Sequence, residues 1–213
     1  MRMRPQMIAL VGVDGSGKTT AAKWLAQELS AAGTRARYFE NGGGRPLIDP
    51  LARRLGRRDG RHLLGWRGYL AVEASIRWIA LARAVALSTL TRRVAVLDRY
   101  AYCQYALIRA RDDGLAGAIG RAAGNAGRQP ERLVRRLYGV FPRPDVTFYL
   151  AVEADEAARR VAARGRDLEE PAYLASFDVS YRSLPEFASF IVVDASGSAK
   201  EVGAAVLAVL AGR

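Results

Sequence analysis

The chain has 213 residues, half of them apolar, and 33 Lys and Arg against 21 Asp and Glu give it a formal net charge of +12. That length can bury one sizeable core, and at roughly 150 residues per domain it points to a single unit spanning 1–213. One cysteine, Cys103, excludes an internal disulfide, and one histidine, His62, excludes a zinc-type cluster; no apolar run of about 18 residues and no apolar leader are read, so a cytoplasmic protein without a membrane partner is expected.

The first predicted element is a strand over Ile8 to Val11, and the chain then reads Gly12-Val13-Asp14-Gly15-Ser16-Gly17-Lys18-Thr19. This is a complete phosphate loop between a strand and a helix predicted over 18–32. Gly12, Gly15 and Gly17 let the backbone approach an anion without a Cβ in the way. Ser16, Thr20 and the loop amides join the helix N-terminus in attracting phosphate. Lys18 is suited to the β- and γ-phosphates and the Thr19 hydroxyl to Mg²⁺. A plain glycine-rich turn would need neither the Lys-Thr pair nor the helix, so an ATP-type site is the reading.

A weaker strand follows at Arg37 to Phe39, then a helix over 63–90. The strand Val94 to Leu97 ends in Asp98-Arg99-Tyr100: an acid there can hold the Mg²⁺ shell or orient the attacking oxygen, and Arg99 can bind an acceptor phosphate. Helices are predicted over 101–113, 155–164, 171–188 and 198–211, with strands at Val146 to Leu150 and Ile191 to Val193. The alternation implies a parallel five-stranded sheet with helices on both faces and ligands at the carboxyl ends of the strands. Arg159, Arg160, Arg164, Gly165 and Arg166 run into Asp167, Glu169 and Glu170, a basic helix end that reads either as a lid at about 160–171 or as a solvated face with i,i+4 ion pairs. The arginines are spread along the chain, which suits phosphate ligands; no motif for specific nucleic-acid binding accompanies them.

In order, the phosphate loop, a Gly-Gly turn at 42–44, the Arg77 helix, Leu97-Asp98-Arg99-Tyr100, Arg143-Pro144-Asp145-Val146, Arg164-Gly165-Arg166 and Val193-Asp194-Ala195-Ser196 resemble the thymidylate kinase family of nucleoside monophosphate kinases. The resemblance implies transfer of the ATP γ-phosphate, with Mg²⁺, to a phosphorylated acceptor. It implies that Arg77 and Arg99 hold the acceptor phosphate, that Asp14 contacts the acceptor sugar or Mg²⁺, and that Arg160 flanks the adenine. Glu73, Tyr100 and Gln104 would line the acceptor site, and the chain would be a homodimer through the helix over 63–90. Gly15-Ser16 stands where one branch of the family carries an arginine, so this chain resembles the branch whose lid supplies the catalytic arginines, here Arg164 and Arg166, beside Lys18 and Asp98.

The departures fall at the acceptor. Phe39-Glu40-Asn41-Gly42-Gly43 replaces the family's Arg-Glu-Pro-Gly-Gly turn, leaving Arg45 as a substitute for the lost arginine. Glu73 stands where the family has a phenylalanine that stacks on thymine, and Cys103 and Ala106-Leu107-Ile108 replace the family's Ser and Ala-Tyr-Gln. A carboxylate at Glu73 must be solvated, pair with an arginine or accept hydrogen bonds from a polar acceptor molecule. Three readings follow: a kinase for dTMP or a related nucleotide, a kinase of this fold acting on another phosphorylated or hydroxylated small molecule, and a nucleotide-binding protein without efficient transfer. Lys18, Thr19, Asp98 and the lid arginines weigh against the last, since binding alone needs fewer of them.

Overall fold

A computed structural model describes residues 7–43, 45–58, 60–119, 128–165 and 169–212. Five short strands, β1 (Met7–Val11), β2 (Ala36–Glu40), β3 (Val94–Asp98), β4 (Val146–Ala151) and β5 (Ile191–Asp194), form one sheet in the order β2-β3-β1-β4-β5. All four pairings are parallel. β1 is buried along its whole length and β4 along nearly all of it, which is why both read as continuous apolar runs. Leu10 and Glu40 both pair with Asp98, Val11 with Tyr149 and Ala151 with Asp194, so the carboxyl ends share one edge. Backbone bonds extend that edge: Asn41 N–H donates to the Asp98 carbonyl and Arg99 N–H to that of Leu10, each at 3.0 Å.

The helices are α1 (Lys18–Ala31), α2 (Arg45–Arg54), α3 (Gly60–Thr91), α4 (Ala101–Ile119), α5 (Arg128–Tyr138), α6 (Ala154–Ala163), α7 (Pro171–Arg182) and α8 (Ala199–Ala211), with a 3₁₀ turn at Pro185–Ser189. Alternation along the strands divides the core in two. Ile8, Leu10, Val96, Phe148 and Leu150 pack with Leu25 of α1 and Val206 of α8. Ala9, Val11, Leu97 and Tyr149 point the other way and pack with Leu81 of α3, Ala106 of α4 and Leu174 of α7. The expected α/β architecture with helices on both faces is therefore what forms. Among the described residues, no helix is long and apolar enough to cross a membrane.

Several boundaries differ from expectation. α3 starts at Gly60 and contains Gly65 at φ 64°, ψ 171°, a left-handed backbone that interrupts the helical pattern. α2 and α5 have no counterpart in the sequence reading. α2 carries Pro50 inside it, and α5 is dominated by charged residues, with Pro130 in its first turn, where a missing N–H costs no helical bond. The helix expected over 171–188 ends at Arg182, and Pro185 opens the separate 3₁₀ turn. Arg166 lies outside the described residues, as do parts of the expected lid.

Candidate active site

The phosphate loop leaves β1 with Gly12 at φ 147°, and a side chain there would meet the Leu150 carbonyl at 2.7 Å. Gly15, at φ 85°, sits against the backbone of Ala157, and Gly17, at φ 82°, caps α1. No L side chain could serve at Gly12 or Gly15 without moving β4 or α6. Lys18 folds back over the loop: its ammonium donates to the Val13 carbonyl at 2.5 Å and to Ser16 Oγ at 3.2 Å, and lies 3.9 Å from Asp14 Oδ1. Its pKa is lowered to about 8 by burial first and by the Arg99 guanidinium second, against the pull of Asp14 and Asp98. Thr20, one residue beyond Thr19, is exposed on α1.

At the next strand end, Asp98 is buried, and its Oδ2 accepts from the Thr19 hydroxyl at 2.5 Å and from the Tyr38 hydroxyl at 3.2 Å. Its Oδ1 is buried without a hydrogen-bond partner. Burial and then the Asp98 charge hold the Tyr38 phenol well above its ordinary value, so it stays a donor. Arg99 has φ 77°, a left-handed backbone that is costly for a residue with a Cβ. Its N–H bond to Leu10 fixes the backbone, and its guanidinium pairs with Asp14 in a short contact. One constellation thus joins the ends of β1 and β3 to the start of α1.

Across the edge, Glu73 of α3 is 2% exposed. Its Oε1 accepts from the Tyr69 hydroxyl at 3.1 Å and its Oε2 from Arg77 Nε at 3.2 Å. Of the three fates open to this carboxylate, pairing with an arginine is the one seen here, with the Tyr69 hydroxyl as a further donor. A Cβ on Gly43 would collide with the Glu73 carboxylate and with Arg77 Nη2, so the turn after β2 lies directly on this pair. Tyr100 is buried and its hydroxyl donates to the Pro142 carbonyl at 2.9 Å.

On the far side, Arg160 of α6 donates to Glu156 at 2.6 Å, to the Ala195 carbonyl at 2.8 Å and to the Ser196 carbonyl at 2.7 Å. It ties α6 to the loop between β5 and α8. Arg159 and Arg160 both pair with Glu156, the i,i+3 and i,i+4 pattern of a solvated face. Arg164 is exposed at the end of α6, just before Gly165 at φ 66°. Groups of acidic, thiol or imidazole side chains able to chelate a metal by themselves do not occur among the described residues.

A family profile described as thymidylate kinase matches residues 123–206. A probable thymidylate kinase of Pyrococcus abyssi is 30% identical over 226 aligned positions that span 98% of this chain and 97% of the relative. This chain belongs to the thymidylate kinase family. A probable thymidylate kinase of Pyrococcus horikoshii is 30% identical across 76% of this chain and 73% of its own length, and probable thymidylate kinase 1 of Saccharolobus solfataricus is 27% identical across 92% of each. The chain is accordingly a nucleotide kinase.

Within this member of the thymidylate kinase family, Asp14, Lys18, Thr19, Asp98 and Arg99 are brought together, with Gly12, Gly15, Ser16 and Gly17 shaping the loop beneath them. Glu73 and Arg77 form a second cluster under Gly43. Reasoning from sequence missed Tyr38, whose hydroxyl reaches Asp98, and Asn41, which stands next to Asp98 across the sheet edge. The position of Asn41 in the altered turn was the available signal; an ordinary strand tyrosine offered none.

Proposed function

We propose that this chain transfers the γ-phosphoryl group of ATP to a nucleoside monophosphate, dTMP or a related nucleotide, giving the diphosphate. The observation that carries the reading is the linked set Thr19–Asp98 and Arg99–Asp14 around a buried Lys18, placed where a phosphate loop meets the carboxyl edge of a parallel sheet. Loop amides and Lys18 would hold the donor phosphates, with Ser16 and Thr20 at the loop's flank, and Arg160 would brace the purine side. Arg77 and Arg99 would take the acceptor phosphate, with Asp14 fixing Arg99. Arg164, together with Arg166, would close over the transferred group, where positive charge is worth most as the transition state forms.

The hard oxygen donors of Thr19 and Asp98 suit Mg²⁺, an ion that keeps several waters and takes its remaining ligands from phosphates. Asp98 Oδ1, buried and without a hydrogen-bond partner, supports the fit. Bound there, Mg²⁺ would neutralise phosphate charge; Asp98 would hold its shell through Thr19 and water. The chain would act in the cytoplasm as one domain with a lid at about 160–171. It would work as a homodimer through α3, where Ile79 is 62% and Leu90 80% exposed, three helical turns apart on one face.

An ATP-consumption screen of the purified protein against nucleoside monophosphates and non-nucleotide phosphate and hydroxyl acceptors tests the reading. At least one nucleoside monophosphate should be turned over, and Lys18→Ala should abolish that turnover. Activity confined to a non-nucleotide acceptor would favour the second reading, for which Glu73 in place of a stacking ring is the specific observation. Near-normal turnover in Lys18→Ala would remove the donor site from the loop.

A further inference from the structure

The run Arg143-Pro144-Asp145 takes no part in the phosphate site, yet it lines a cleft of about 570 Å³ at the amino end of β4. Thr147 of β4, Tyr102 of α4 and residues of the 3₁₀ turn Pro185–Ser189 line it as well. The phosphate loop meets β4 at the Leu150 carbonyl, three residues and about 10 Å of strand beyond Thr147, so the cleft is separate from the nucleotide edge. Its size suits a small metabolite.

The polar groups of the cleft divide into spent and unspent. Glu186 is held by Arg135, whose Nη2 donates at 3.2 Å beside a shorter contact from Nη1. Asp145 Oδ2 accepts from the Met7 N–H at 2.8 Å, and Ser189 Oγ donates to the Glu186 carbonyl at 2.7 Å. Arg143 is exposed, and among the described residues no hydrogen bond or ion pair engages its guanidinium. Tyr102 is 6% exposed, and its phenol responds to the charges of Glu186 and Arg143, which puts the hydroxyl end at the cleft. Burial first and Glu186 second raise its pKa, so it is a donor at neutral pH. Its ring is fixed between Tyr100 and Phe190, with centroids 4.9 and 4.8 Å away. The unspent groups are thus mainly donors, and one of them carries a full positive charge.

We propose that this cleft is a second ligand site, for a small hydroxylated organic acid with a single carboxylate. The planar fork of Arg143 takes the carboxylate through two parallel N–H bonds, and Tyr102 donates to the same group or to a neighbouring oxygen. Ser189 Oγ keeps lone pairs for ligand hydroxyls, and Pro144 and Pro185 offer apolar surface to the carbon skeleton. A second negative charge would meet Asp145 and Glu186, so nucleotides and sugar phosphates are disfavoured. The ligand is therefore neither the donor nor the acceptor of the kinase reading, and the site stands independently of it.

D-glucuronate, D-glucose and D-glucose 6-phosphate share one body and differ in charge, and calorimetric titration of the full chain with each, without ATP, tests the site. Glucuronate should bind on the order of tenfold more tightly than either of the others. Arg143→Gln, at an exposed position where folding is not at stake, should weaken glucuronate binding on the order of tenfold or more. Tyr102→Phe keeps the ring packing and should weaken it about fivefold. Lys18→Ala should leave it unchanged. The proposal is overturned by no binding of any of the three, by equal binding of glucuronate and glucose, by glucose 6-phosphate binding as tightly as glucuronate or more so, or by indifference to Arg143→Gln. Loss of glucuronate binding in Lys18→Ala overturns it too, because the ligand would then sit in the phosphate loop. Turnover plays no part in the readout, so failure here leaves the kinase reading standing.

Discussion

Lys18 is held where its charge is costly. Burial and Arg99 bring its pKa from 10.5 to about 8, so below that value both the folded and the unfolded chain carry the proton and the folded state bears the whole cost of the buried charge. Between about pH 8 and 10.5 the folded chain has released the proton while the unfolded chain retains it, and stability rises with pH across that window. Lys18→Met should therefore melt higher than wild type at pH 7, and the gap should shrink as pH approaches 10; a gap independent of pH would show that the ammonium is comfortable where it sits. The same titration reaches function. If charged Lys18 draws in the donor phosphates, kcat/KM for ATP in the wild type should fall above about pH 8, and Lys18→Arg should remove that limb while altering the rate. Lys18 and its loop were legible from spacing alone, because phosphate chemistry fixes glycine, lysine and threonine at set positions. Glu73 was legible only as a departure; that it would be buried and braced by Tyr69 depended on a helix face no spacing rule specifies.

Elements are placed by a few close approaches. Gly203 of α8 lies against the Trp24 ring of α1, and a Cβ there would meet Cζ3 at 2.9 Å and Cδ2 at 3.0 Å. Alanine would gain up to about 1 kcal/mol of helix propensity. Overpacking a rigid indole costs about 1–3 kcal/mol, and the clash involves ring atoms that cannot yield separately, so the loss prevails. Gly203→Ala should lower the melting temperature by several degrees, about 2–4 °C per kcal/mol for a chain of this size. Trp24→Leu in the same chain should restore part of it, and strictly additive single effects would deny that the two residues touch. β1, β3 and β4 were legible because burial on both faces leaves continuous apolar runs. α2 and α5 were not, because Pro50 and a dense charge pattern mask helices whose stability comes from their neighbours.

At the scale of the whole molecule, the proposed dimer rests on the exposed face of α3. Ile79→Asp combined with Leu90→Asp should turn a dimer into monomers in sedimentation experiments, with the monomer still folded because both side chains already face solvent. A wild-type chain that sediments as a monomer at micromolar concentration would refute the assembly. The sheet imposes a different demand before any assembly takes place. β1 occupies the centre of the sheet, yet its two neighbours, β3 and β4, begin only at Val94 and Val146. At bacterial or eukaryotic elongation rates, β1 leaves the ribosome on the order of ten seconds before its second neighbour exists. For that interval Met7-Ile8-Ala9-Leu10-Val11 has two open edges and no shelter, a natural client segment for a holding chaperone on the nascent chain.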